Sequence, residues 1–423
     1  MKMAKNSAIF INRQLKKDKQ MHPLKTMTLT ATLSLFSLSL YAIKLNITSP
    51  QPPSTQKSSL ENHPQMPMTM PPNISINAKS WVLMDYNSGQ ILAEKNPNEH
   101  LPVASLNKLM TSYVSSQAIQ HNIAHLDDQI LITKKASTTP GSKMFINTGH
   151  KISLENLMKG MIIQSGNDAS VAIAEHIAGT ESAFAHMMNQ TARQLGLKDS
   201  HFANPTGLPA NNQYSSAYDL ALLSRALIAH FPTEYQWYKL KSFTWNNITQ
   251  KNRNSLLWHD TDIDGLKTGY TRKAKYCFVG SGQKDGMRLI VTVLGAPSVP
   301  SRMADAKRLL TYGFRFYETH LLYAGNQVIK TFNTQDLDGL SIGSNHDVYV
   351  TVPKGHYQNL AVHAIINPEL KAPVKKGQAV GKIEISLKGK TLDTLPLIAL
   401  KDVSKRGVFS RLLSWFRSSS SAL

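Results

Sequence analysis

The hydrophobic pattern of the chain changes period once, and that change limits the fold more than any other feature. Up to about residue 317, strand-like runs alternate with helical ones. "SWVLMDYNSGQILAEKN" reads as a hairpin turning at Asn87-Ser88-Gly89, and helical spacing follows from Ser105. "LENLMKGMIIQSGNDASVAIAEHIAG" gives two apolar helices, broken at Ser165-Gly166-Asn167 and closed by Gly179. Further helices fit residues 182–195 and 216–230. The strands "YCFVGSG" and "MRLIVTVLG" then meet at Lys284-Asp285-Gly286, before a helix from about Ser301 to Tyr317. From about His320 the apolar runs are short and alternating ("DVYVTVP", "LAVHAIIN", "AVGKIEISL") and are separated by Gly, Pro and Asn. At 423 residues the chain can bury more than one core. The pattern therefore predicts an α/β (α+β) domain over 76–318, followed by a small all-β domain over 319–403.

The ends carry different information. "MTLTATLSLFSLSLYAI" (Met27–Ile43) follows Lys25 and is short and polar for a spanning helix. It fits the apolar region of an export signal ending near Ala42, within an export or anchor segment of residues 1–45, with translation starting at Met21. Residues 46–75, rich in Pro, Ser, Thr and Gln, read as a disordered linker. In the tail 404–423, Val408, Phe409, Leu412, Leu413 and Phe416 share one helical face, and Lys405, Arg406, Arg411 and Arg417 flank it. That pattern predicts an amphipathic helix lying on an anionic lipid surface, and with it a periplasmic protein held at the outer face of the cytoplasmic membrane.

A net charge of +20 and a pI near 9.8 call for an anionic partner. No dense Lys/Arg stripe with interleaved aromatics and no Cys/His finger spacing occurs, so nucleic acid is excluded. Cys277 is the single cysteine, which rules out an internal disulfide framework. His259, Asp260, Asp262 and Asp264 in "WHDTDIDG" fit turn chemistry better than a metal site.

The chemistry starts at "PVASLNKLMTS". On a helix beginning near Ser105, Lys108 stands one turn on, on the same face. A serine at a helix N-terminus can be a nucleophile, with its own N–H helping to hold an oxyanion. The lysine can serve as base only if burial or a nearby cation depresses its pKa, which predicts a second cation in the site. "IDGLKTGYT" offers Lys267 at an apolar strand. Lys267 and Thr268 can bind a substrate carboxylate, Gly269 leaves room for a substrate backbone beside the strand, and the Tyr270 N–H can be the second oxyanion donor. In "IIQSGNDAS", Ser165 and Asn167 can pass a proton and bind an amide carbonyl, although Asn167 or Asp168 can equally cap the next helix.

S-x-x-K, S-x-N and K-T-G in this order are a signature shared by serine β-lactamases and penicillin-binding proteins. Together with "VLMDYNSGQILAEKNPNEHLPVASLNKLMT", "YSSAYDLALL" and "NRNSLLW", they make the chain resemble the low-molecular-mass penicillin-binding proteins, and among these the D-alanyl-D-alanine carboxypeptidases. The resemblance runs from about Ile76 into the tail. It implies a β-lactamase/transpeptidase-like catalytic domain and hydrolysis of the terminal D-Ala from peptidoglycan stem peptides, with no metal or organic cofactor. It also implies acylation of Ser105 by β-lactam antibiotics. By it, Lys108 is the general base, Ser165 and Asn167 the proton relay, Lys267 and Thr268 the carboxylate clamp, and the Ser105 and Tyr270 N–H groups the oxyanion hole. Three positions depart from the pattern: Asn107 for threonine, Tyr270 for histidine, and Lys275 for glycine. The absence of an E-x-x-L-N loop between the second and third motifs argues against a β-lactamase. A D,D-endopeptidase of the same family and a non-catalytic β-lactam-binding scaffold are the alternatives.

Overall fold

The structure is a computed structural model that describes residues 43–47, 71–334 and 337–404. Most of the expected export segment and linker, and the expected amphipathic tail beyond residue 404, lie outside these residues.

The first domain is built on one antiparallel sheet. Its strands are β1 (Ser80–Asp85), β2 (Ile91–Lys95), β3 (Ile263–Thr271), β4 (Lys275–Lys284) and β5 (Met287–Ala296), in the spatial order β2-β1-β5-β4-β3. Strands β1 and β2 thus join three that begin 168 positions after Lys95, at Ile263, and the helical block lies between them in sequence. Strand alternation explains why both faces are covered. Val82, Met84, Ile290 and Leu294 face the core that contains the helices. Trp81, Leu83, Leu289, Val291 and Val293 face the other core, under α6 (Val299–Phe316).

The inserted block contains α1 (Lys108–Gln120), α2 (Leu154–Gln164), α3 (Asn167–Ala178), α4 (Glu181–Gln194) and α5 (Ala217–His230). Helix α1 has no polar stripe: Leu109 through Ser116 are all buried, so it runs through the centre of the helical layer. The sequence puts Ser105 in the first turn of this helix. In the structure a 3-10 turn, Ala104–Asn107, precedes the α-helix and carries the serine.

Strands β6 (Tyr317–Tyr323), β7 (Lys330–Phe332), β8 (Leu340–Gly343), β9 (Val348–Pro353), β10 (Leu360–Ile366), β11 (Ala379–Leu387) and β12 (Lys390–Ala399) form the C-terminal domain around its own core. The mixed helical and β architecture with a separate β domain agrees with the sequence pattern. One segment differs. Ile43–Ile47, expected at the junction of export segment and disordered linker, is a strand antiparallel to β10, with Ile43 opposite Ile366. The unpaired edge of β10 offers a row of backbone groups, and pairing with it overrides local composition.

The two domains meet through a buried carboxylate. Asp85, fully buried at the end of β1, accepts from the Ser88 backbone N–H at 2.7 Å and from the Thr319 hydroxyl of β6 at 2.7 Å. The Ser88 hydroxyl lies 2.7 Å from that of Thr351 in β9. A buried carboxylate is tolerable only when its oxygens are bonded in this way.

Candidate active site

The 3-10 turn with Ser105 is wedged between β3 and the 203–207 loop. A Cβ on Gly269 of β3 would lie 2.8 Å from the Val103 carbonyl oxygen and 3.2 Å from the Ser105 nitrogen. The serine turn itself therefore requires the glycine, in addition to any room the glycine leaves for substrate. Ala104, next to the serine, has φ +50°, a left-handed conformation that costs about 1–3 kcal/mol and persists only where its surroundings impose it.

Lys108 is almost completely buried, at 1 % exposure. Its Nζ lies 3.1 Å from Ser105 Oγ and donates to Asn167 Oδ1 at 2.7 Å and to the Thr206 carbonyl. Asn167 cannot turn its amide round, because its Nδ2 donates to the Pro140 carbonyl at 2.7 Å. The choice left open between Asn167 and Asp168 resolves into separate duties. Asp168 accepts from the Met144 and Phe145 N–H groups at 2.8 and 2.9 Å and from the Ala169 N–H at 2.9 Å. It pins the neighbouring loop and the start of α3, leaving Asn167 free to meet Lys108.

Ser165 links α2 to α3 in a left-handed conformation, φ +64°. Its hydroxyl is buried with no partner among the described residues. An orphaned buried hydroxyl costs about 1–3 kcal/mol, and such groups call for an explanation in function.

Burial, and after it the Arg253 guanidinium, lowers the Lys108 pKa to about 7. Lys267, buried in β3 beside Thr268, is pushed well below the usual lysine range by burial first, then by Lys108, Arg253 and Arg302. The sequence predicted that a second lysine would depress the first. Burial is the larger cause for Lys108, with Arg253 as a further cation, and the two lysines repel one another, which lowers Lys267.

Two matches cover most of the described chain. The profile described as D-alanyl-D-alanine carboxypeptidase matches residues 65–298, and that described as penicillin-binding protein 5, C-terminal domain, matches 317–405. The D-alanyl-D-alanine carboxypeptidase DacC of Escherichia coli K12 is 43 % identical over 351 residues, which is 80 % of this chain and 87 % of that protein. The chain belongs to the D-alanyl-D-alanine carboxypeptidase family. Penicillin-binding protein 5 of Haemophilus influenzae superposes with a TM-score of 0.75 at 39 % identity, over 79 % of this chain and 99 % of that one. Penicillin-binding protein D2 of Listeria monocytogenes, solved in an ampicillin-bound form, superposes with a TM-score of 0.53 at 29 % identity, covering 57 % of this chain and 99 % of that one.

The three departures from the carboxypeptidase pattern have distinct outcomes. Asn107 is buried and donates from Nδ2 to the Asn204 carbonyl at 2.7 Å, so it helps to hold the 203–207 loop. The Tyr270 side chain points away to the rim, 55 % exposed, with its ring 4.5 Å from that of Tyr276. Lys275 has φ +56°, the conformation glycine adopts freely, at a cost of about 1 kcal/mol for a lysine. His259, Asp260, Asp262 and Asp264 form no cluster: Asp264 pairs with Arg288 at 2.7 Å, and Asp260 accepts from the Asp262 N–H in a turn.

The sequence missed three contributors. Arg253 lies in "NRNSLLW", quoted only for its resemblance. Arg302 on α6 is buried, its Nη1 donating to the Cys277 carbonyl at 3.3 Å. The third is the 203–207 loop, whose Asn204, Pro205 and Thr206 carbonyls accept in turn from Asn107, Thr111 and Lys108.

Proposed function

We propose that the protein is a serine D-Ala-D-Ala carboxypeptidase in which Ser105 attacks the penultimate D-Ala carbonyl of a peptidoglycan stem peptide, with Lys108 as general base. The observation that carries this is the set of partners around the Lys108 amine. A neutral amine has two N–H bonds and one lone pair. The Thr206 carbonyl and Asn167 Oδ1 can only accept, so they take the two N–H bonds, and the lone pair is left for the Ser105 hydroxyl. Attack forms the Ser105 Oγ–carbonyl bond and moves the serine proton to Lys108. Collapse expels the terminal D-Ala, its nitrogen taking a proton from the Lys108–Ser165 pair, and water then cleaves the ester. The Ser105 and Tyr270 N–H groups hold the oxyanion. The terminal carboxylate lies against Lys267 and Thr268, where its charge offsets burial and restores that of the lysine. β-Lactams acylate the same serine.

The protonated form of Lys108 is inactive, and its pKa lies near 7. The second-order rate constant for acylation should therefore rise about tenfold per pH unit below pH 7 and level off above it. Stopped-flow acylation with a chromogenic β-lactam measures this. A rate that is flat from pH 5 to 8 would rule out the neutral amine. Release of D-Ala from a diacetylated L-Lys-D-Ala-D-Ala peptide tests the reaction itself.

The tail 404–423 supports a second element of the proposal: the protein is exported and held at the outer face of the cytoplasmic membrane by this segment. Its basic flanks and apolar face suit anionic lipid. The full chain without its export segment should sediment with vesicles containing phosphatidylglycerol, and a form ending at Val403 should stay in the supernatant. Equal sedimentation of the two would refute the anchor.

A further inference from the structure

The reading of Ser105 and Lys267 above also fixes the direction in which a substrate lies. Strand β3 is the edge of its sheet. A peptide with its C-terminal carboxylate at Lys267 and Thr268 and its scissile carbonyl beside Gly269 runs antiparallel to β3. Its next residue toward the N-terminus then falls at Thr271 and the β3–β4 hairpin, given a rise of about 3.3 Å per residue.

A groove opens at that place. A cavity of about 250 Å³ lies between Val103 and Ala104 of the serine turn, Gly207 and Pro209 of the loop, and Thr271 and Lys273 of the hairpin. It continues into a second of about 510 Å³, the two sharing Pro102, Ala210, Asn211, Gln213 and Lys273. Gln213 is committed to the loop: its Oε1 accepts from the Ala203 and Asn204 N–H groups and its Nε2 donates to the Leu208 carbonyl. Among the described residues no carboxylate lines either cavity. The hairpin presents Arg272, Lys273 and Lys275, all exposed, and among the described residues none has an ion-pair partner. At the far end His100, which lines the second cavity, engages Asp199 at 2.9 Å. Lys275 occupies a backbone conformation that would suit glycine better.

The geometry points to a specificity subsite: the groove receives the peptide residue preceding D-Ala-D-Ala, and the cationic hairpin, through Lys273 first, selects a residue with a free side-chain carboxylate. The charges are solvated, so each contributes modestly, about two- to fivefold for a single exposed pair and about tenfold for three acting together.

Two tripeptides that differ by one carboxylate test this: diacetyl-L-lysyl-D-Ala-D-Ala and its counterpart with acetylated meso-diaminopimelate in place of the lysine. The readout is the ratio of their kcat/KM values. The unaltered protein should favour the carboxylate peptide about tenfold, mainly through KM, with the preference shrinking as salt is raised from 0.05 to about 0.5 M. Lys273→Gln should cut the ratio about two- to fivefold, and Arg272→Gln/Lys273→Gln/Lys275→Gly should bring it near one. Thermal unfolding checks that the variants remain folded. A ratio near one for the unaltered protein, or one that survives the triple substitution, overturns the subsite while leaving the carboxypeptidase reading intact. Failure of the unaltered protein to turn over either peptide overturns both.

Discussion

A Ser105→Ala variant should retain its fold yet lose D-Ala release by about five orders of magnitude, and labelled penicillin should no longer stay attached to the denatured protein. The size follows from the role: without the hydroxyl no acyl-enzyme forms, and what is left is the catalysis that binding and oxyanion stabilisation give to water, as when other serine hydrolases lose their nucleophile. The fold should survive, because the turn is held through its backbone, by Gly269 and the 203–207 loop, and not through the serine side chain. Mass spectrometry after incubation with a β-lactam reads the adduct directly. An adduct of equal yield on the alanine variant would move the nucleophile to another residue.

Lys108→Arg is the second substitution with a large expected effect. Arginine preserves the charge and can still donate to the Thr206 carbonyl and Asn167, but it cannot release its proton at any working pH. Acylation should fall by about three to four orders of magnitude, and the limb near pH 7 should vanish. The guanidinium is larger than the amine at a site only 1 % exposed, so Lys108→Met serves as a companion of similar shape. It removes the base but leaves two buried acceptors unpaired, at about 1–3 kcal/mol each, partly offset because no amine has to be buried. Both variants should lose acylation together, and their thermal midpoints should separate lost chemistry from lost fold. Acylation of the methionine variant within tenfold of the original would exclude Lys108 as the base.

Much of this site is legible in the sequence because its key groups are side chains at tell-tale spacings. Ser105 and Lys108 sit three apart, Ser165 and Asn167 flank a helix break, and Lys267 opens an apolar strand. The alternation that sorts Val82 and Met84 from Trp81 and Leu83 is equally plain, and with it the two-sided sheet. What sequence cannot display is a carbonyl, since every residue has one. The contact of Lys108 with Thr206 leaves no mark at position 206. Long-range charge is also hidden: Arg253 and Arg302 reach the lysines only once β3 and α6 are in place. Gly269 is legible as a point of close approach, whereas the packing of the chain's own serine turn against it is not. The strand Ile43–Ile47 was lost to composition, which says nothing about an open edge elsewhere.

The three neighbouring peptide oxygens of the 203–207 loop, which accept from Asn107, Thr111 and Lys108, bear on how such a protein can change over generations. The orientation of the amine at position 108 is inherited from the path of the main chain, so replacing a side chain at 205 or 206 leaves the acceptor in place provided the path holds. New preferences, for a longer peptide or against a drug, can therefore accumulate on the exposed border while the proton-transfer core keeps its aim.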